Sequence, residues 1–390
     1  MRRLVLAATV AFVLAAAAPA CLAAQGAPES AAFLVRLGVD TISVERFTRT
    51  AVRLEGEMVG RSPRTSHRRY VAEFSPEGGL TRFEVTALRV GAPADAPPLQ
   101  RTVAVVGADS IRVEVRRGDS VQTSAIAAAA GLLPTISNVF GPYELMAVRA
   151  RAANRDTVAL AAYGMGARAT STVAVTRLGR DSIRLAAGMS AYRVRTDGDG
   201  RILGLAAPGT TAQITVERVP SIDLGAVLTA WAARDAQGQA MGMLSPRDTV
   251  RATAGGASLL VDYGRPSKRG REIFGNVVPW GTVWRTGANA ATQFRTDRDL
   301  VIGGVVVPAG TYTLWTLPAP TGWQLIVNRQ IGQWGTAYDA AQDLIRVPLT
   351  VTAVAAPVEV FTIAVEPQGA GGVLSFAWDR TRAQLPFTVR

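Results

Sequence analysis

The chain has 390 residues, 48% of them hydrophobic and 18% charged, which is a globular composition with length for two or three domains. One His (His67) and one Cys (Cys21) exclude a Cys/His zinc site and an intrachain disulfide framework. The net charge of +12 is almost entirely Arg, since Lys268 is the single lysine. It is spread among acids along the chain rather than gathered on one element, so no nucleic-acid partner is expected.

Residues 1–24 read as a signal peptide. Arg2 and Arg3 precede an apolar run, Leu4 to Ala18, broken only by Thr9, and Pro19 and small residues follow. The run is 15 residues, short of the ~20 that cross a bilayer, and no later stretch is longer, so no transmembrane span is expected. Cleavage near Ala23 discards Cys21. Ala18-Pro19-Ala20-Cys21 also reads as a degenerate lipobox, which makes Cys21 the lipidated first residue of a lipoprotein. Either way the location is the periplasm, the envelope or the exterior.

Residues 27–220 alternate polar and apolar side chains, as in Arg112-Val113-Glu114-Val115-Arg116, with turn signals such as Asp197-Gly198-Asp199-Gly200 between runs. Period-two patterning rich in β-branched residues predicts half-buried strands. A phrase Asp-Ser/Thr-apolar recurs at Asp40, Asp109, Asp119, Asp156, Asp181 and Asp248 at irregular spacing. Its irregularity excludes a solenoid and points to Asp-capped turns opening the next strand. The expected architecture is an antiparallel barrel or half-barrel. A helix then runs over 221–236, with Ser221 as cap, Leu224, Val227, Leu228 and Trp231 at helical spacing and Gly238 as stop. A linker leads to 249. Six of the seven Trp lie in the last 136 residues, which marks 250–390 as a second, different β domain, expected to be a β-sandwich. The fold class is all-β.

The densest motif runs from Asp262 to Asn289: DYGRPSKRGREIFGNVVPWGTVWRTGAN. Pro308 to Leu314 and Gln333-Trp334-Gly335 follow. Tyr263, Arg265, Pro266, Gly270, Arg271, Ile273, Phe274 and Gly275, then Pro279, Trp280, Gly281 and Trp284 through Asn289, match the pattern of a secreted bacterial family. The segment from about 244 to 390 resembles that family, domain of unknown function 2911. The resemblance implies a secreted β-rich domain and no particular reaction.

Arg271, Arg285 and Asn289 stand among Gly and aromatic residues, the setting of a shaped pocket. They are the candidates to hold an anionic small molecule, glycan or lipid headgroup. Trp280 and Trp334 each precede Gly in turns and are candidates to flank that ligand, whereas Trp315 and Trp378 alternate with apolar neighbours and read as core. The leading expectation is a non-enzymatic envelope binding module with no cofactor, metal or catalytic residue. Two alternatives stand beside it. One is a hydrolase using Asp339 and Asp343, and the other a lipid or lipoprotein carrier using the concave face of the first domain. Asp339 and Asp343 also read as capped-turn acids. His67, in the polar stretch Gly60–Arg69, lacks a nucleophile elbow to serve.

Overall fold

The computed structural model describes residues 27–390 except 94, 189 and 208–211, so the expected leader, with Cys21, lies outside the described residues. The first sheet begins with β1 (Glu29–Leu37), β2 (Asp40–Arg49), β3 (Arg53–Gly60), β4 (Ser66–Phe74) and β5 (Leu80–Leu88). It continues with β6 (Gln100–Val106), β7 (Ser110–Arg117), β8 (Ser120–Ala127) and β9 (Leu133–Thr135). After helix α1 (Gly141–Ala152) come β10 (Thr157–Gly164), β11 (Ser171–Arg177), β12 (Ser182–Ala187), β13 (Ser190–Thr196), β14 (Ile202–Ala206) and β15 (Ile214–Val219).

These fifteen strands lie in the order 8-7-6-5-4-3-2-1-15-14-13-12-11-10-9. The chain steps outward from β1 to the β8 edge, crosses to the opposite edge at β9, and steps back to pair β15 with β1. All neighbours are antiparallel except β9 and β10. The sheet curls until the Leu80 amide donates to the Leu132 carbonyl just before β9 (3.0 Å). The result is the expected half-barrel. The recurrent phrase opens β2, β7, β8, β10 and β12. Its Asp serves mainly through the backbone, with the carbonyls of Asp109, Asp156 and Asp181 accepting from Ala128, Arg177 and Thr196. The expected side-chain cap is made by Asp248, to the Thr249 amide (2.8 Å).

Helix α1 fills the concave side of this sheet. Leu145, Met146, Ala147 and Ala150 belong to one core with Phe33, Phe47, Phe83, Ile111 and strand residues as distant as Leu205. The sheet grips both ends of its first turn. Glu45 on β2 accepts the Phe140 and Gly141 amides (2.6 and 3.0 Å), and Glu144 on α1 accepts from Ile202 and Arg218. Gly141 admits no side chain, since a Cβ there would lie 2.7 Å from the Tyr70 hydroxyl.

Helix α2 (Leu224–Ala236) is the helix expected at 221–236, but its cap is Asp223, whose side chain accepts from Ala226, rather than Ser221. It lies on the outer face, packing Leu224, Val227, Leu228 and Trp231 against Val44 and Val59.

The second sheet holds β16 (Arg247–Ala254), β17 (Ala257–Gly264), β18 (Thr292–Thr296), β19 (Leu300–Ile302) and β20 (Val305–Val307). β21 (Gly310–Leu317), β22 (Trp323–Asn328), β23 (Asp343–Gln368) and β24 (Gly371–Val389) complete it. It is one nine-strand sheet in the order 16-17-18-21-22-23-24-19-20. The long β23 joins its two layers. Its first residues pair with β22 and its remainder with β24, with breaks in register between Ala353 and Thr362. Folding the sheet over encloses a core that runs from Ala254 to Phe387.

A tight joint connects the two sheets. The β1–β2 turn presents Gly38 and Val39 to Arg269 and Gly270. The Val39 amide donates to the Arg269 carbonyl (3.1 Å), and Arg269 forms a salt bridge with Asp40 (2.6 Å).

Candidate functional site

Between β17 and β18 the chain leaves the sheet for residues 265–291, the stretch that carries the family-like motif. Its path follows from particular residues. Tyr263 lies under the excursion, its hydroxyl accepting from Ile363, and Arg265 reaches Asp248, Thr362 and the Phe361 carbonyl. Pro266 and Lys268 pair with Phe361 and Glu359 through the backbone, extending the sheet by a short rung. Phe274 then seals one end of the core, with ring centroids 4.6 Å from Trp323 and 6.3 Å from Trp378. Trp284 stacks on Trp378 (5.9 Å, 17°) and donates its indole N–H to Gly287. Gly264 and Gly287 let two backbones touch here, since a Cβ on Gly264 would lie 2.2 Å from the Ala288 carbonyl oxygen.

The five candidate residues have separate surroundings. Arg271 sits at the joint between the sheets. Its guanidinium donates to the carbonyls of Ser267, Lys268 and Ala212, and burial lowers its pKa. Arg269 and Lys268 are paired with Asp40 and Asp379. Trp280 covers Gly275 and stacks on Phe274 (6.1 Å, 27°), leaving 41% of its surface exposed.

Arg285, Asn289 and Trp334 are brought together. Asn289 takes a left-handed conformation (φ 64°) and turns its carbonyl to the Gly335 amide (2.9 Å). Arg285 lies across Gly335 so closely that a Cβ there would stand 1.9 Å from its Cδ, and its guanidinium donates to the Gly335 carbonyl (3.3 Å). Burial lowers the Arg285 pKa as well. On the other side, the Ala291 amide donates to the carbonyl of Gln333, whose buried side chain donates to Thr313 (3.0 Å). Ala290 and Trp334 form a bridge between these contacts. The backbone of Trp334 is therefore fixed on both sides while the residue is 51% exposed.

The alternative readings meet specific obstacles. Asp339 caps a short 3-10 turn, Ala340–Gln342, accepting from Ala341 (3.0 Å). Asp343 accepts from Asn328, Tyr338 and Arg346, and the Tyr338 phenol is pushed up to about 12 by burial and that carboxylate. Both carboxylates are thus employed in holding the turn after Trp334. The concave face that a lipid would need is occupied by α1. His67 lies in strand β4 and pairs with Glu57 (2.5 Å). Trp378 and Trp315 are buried in core clusters. Among the described residues no cluster of His, Cys, Asp and Glu is arranged to hold a metal, and no helix is long and apolar enough to cross a membrane.

Fold and site define a nearly all-β protein of two sheets, a helix-filled half-barrel of fifteen strands and a folded sheet of nine. Residues 245–387, the C-terminal third of the chain, match the family model "Protein of unknown function (DUF2911)". The crystal structure of a DUF1089 family protein from Pseudomonas aeruginosa is similar at 14% identity and a TM-score of 0.30, over 44% of this chain and 92% of that one. No curated protein matches the chain.

Proposed function

We propose that this chain is an exported, non-enzymatic binding protein of the cell envelope, and that the surface around Trp334 binds a hydroxyl-rich ligand, a glycan. The observation that carries this reading is the combination of a fixed backbone and a half-exposed indole at Trp334. An aromatic face already held in place loses little conformational freedom on binding and offers a flat apolar surface to the C–H face of a sugar ring. An anion is a poorer fit. The two guanidiniums that sequence reading offered it, Arg271 and Arg285, are desolvated and donate to backbone carbonyls.

Retention on insoluble polysaccharides (peptidoglycan, chitin and cellulose) tests the proposal. The mature chain is retained by at least one, and Trp334→Ala, at an exposed position, lowers retention about tenfold with the fold intact by circular dichroism. Retention by none, or equal retention of both chains, rejects it. Export is tested separately by the N-terminal mass of the protein recovered from the envelope, which falls after residue 24, or at a lipidated Cys21.

A further inference from the structure

The half-barrel is filled by α1 over most of its length, but not at the mouth. Cross-strand rows on the concave face show why. The deepest row, Leu54–Ala72–Phe83–Ala104, is apolar and fully buried. The next, Tyr70–Val85–Thr102, is mixed. The outermost, Arg68–Ala87–Gln100, is polar. Opposite these rows stand Thr135 and Ser137, ahead of α1, and Tyr143 on its first turn. Together they enclose a cavity of about 360 Å3. That lies at the small end of the ~300–1,000 Å3 range of small-molecule sites, with room for a monosaccharide.

The lining is chemically one-sided. It contains one cation and no acid. Arg68 makes no salt bridge or hydrogen bond among the described residues, in contrast to its neighbour Arg69, which reaches Glu57 on the outer face. Thr102, Thr135, Ser137 and Tyr143 line the same space, beside a Gln100 amide that donates to Thr102 (2.9 Å) and accepts from Arg117 (2.7 Å), and Tyr143 is held as the neutral phenol by burial, which pushes it up to about 12. Its ring packs against Phe140 and Tyr192 (5.7 and 5.8 Å), which fixes that wall.

We infer that this mouth is a second binding site, distinct from the Trp334 surface, for a small monoanionic polyol of the sugar-acid class. Arg68 receives the carboxylate through its planar fork and the hydroxyl wall receives the ring hydroxyls. A single available guanidinium matches one carboxylate. The absence of acids from the lining leaves nothing to repel it, and neutral hydroxyls both donate to and accept from a polyol.

Calorimetric titration of the mature chain with D-glucuronate, D-glucose and inorganic phosphate tests this. Glucuronate binds, while glucose and phosphate bind at least tenfold more weakly. Arg68→Ala, an exposed position whose removal leaves no partner stranded, weakens glucuronate about tenfold or more. Thr135→Val weakens it severalfold, and Trp334→Ala leaves it unchanged, which separates this site from the polysaccharide surface. No heat with glucuronate, phosphate binding as tightly as glucuronate, or an Arg68→Ala chain that binds like wild type each overturns the inference.

Discussion

Glu45 is the most completely buried acid in the first domain, and it is charged with holding α1. Its carboxylate accepts from Phe140, Gly141 and the Tyr70 hydroxyl, all of which favour the ionised form, yet burial outweighs them and pushes its pKa up to about 7. Burial also holds Tyr70 well above its usual range, so it remains an O–H donor. A carboxyl whose pKa is higher folded than unfolded binds protons more tightly in the native state. Its stabilising contribution is full below pH ~4.5 and is lost as pH rises to about 7, by about 3 kcal/mol at ~1.4 kcal/mol per unit. Glu144 is raised in the same direction by burial, against the pull of Arg218, and steepens the trend. Urea midpoints measured at pH 5 and pH 8 should therefore fall more for the wild type than for Glu45→Gln, which cannot ionise. Equal falls would show that the three donors, not burial, govern Glu45. Little of this was legible beforehand. Glu45 looks like any outward residue of an alternating strand, and its burial depends on a helix about a hundred residues away. Arg271 and Arg285 illustrate the same limit. Both stand among Gly and aromatic residues in the sequence, but their acceptors are backbone carbonyls, which no side-chain pattern announces.

Among the elements, strands were legible and α1 was not. Alternation marks a strand wherever one face is buried, and it located the strands of the half-barrel. Helix α2 was visible because it lies on a surface and shows one apolar stripe. Helix α1 has no stripe, because the sheet wraps around it. Gly141, Pro142, Glu144, Leu145, Met146, Ala147 and Ala150 are all buried, which spans most of its circumference. A helix enclosed on nearly every side need not be amphipathic. The one local sign was Pro142, placed in the first turn where a missing amide does no harm. Since α1 contributes core to both wings of the sheet, truncating it should destabilise the whole domain. Met146 is completely buried, and Met146→Ala should cost about 2–5 kcal/mol in urea unfolding through lost contact and the cavity left behind. The exposed Leu178 provides the contrast: Leu178→Ala should stay within about 0.5 kcal/mol. Similar losses at both positions would mean that α1 is not part of the cooperative core.

At the scale of the whole molecule, what joins the two sheets is the motif that first looked like a ligand site. Arg269, Gly270 and Arg271 meet the β1–β2 turn and Ala212, so part of the family-like pattern is devoted here to attachment between the two sheets. Gly38 is the closest point of that joint. It adopts φ +60°, and a Cβ on it would lie 2.0 Å from the Arg269 carbonyl oxygen, a backbone atom that cannot step aside without moving the other domain. Gly118, in the β7–β8 turn, adopts nearly the same φ, +54°, with no atom within 4 Å of the same virtual Cβ. Alanine at either glycine carries the strain of a left-handed backbone, on the order of 1 kcal/mol, but only alanine at Gly38 must also part the sheets. Gly38→Ala should therefore raise the rate of proteolytic cleavage in the 237–246 linker severalfold over Gly118→Ala, while each domain keeps its own strand signal in circular dichroism. The linker is tied to the first sheet by its own contact, Gly242 to Pro63 (2.9 Å), and α2 just before it by Asp235 to Thr65 (2.6 Å), so the increase should be graded rather than complete. Equal cleavage of the two variants would place the attachment in the Arg269–Asp40 and Arg271–Ala212 contacts instead of the Gly38 approach.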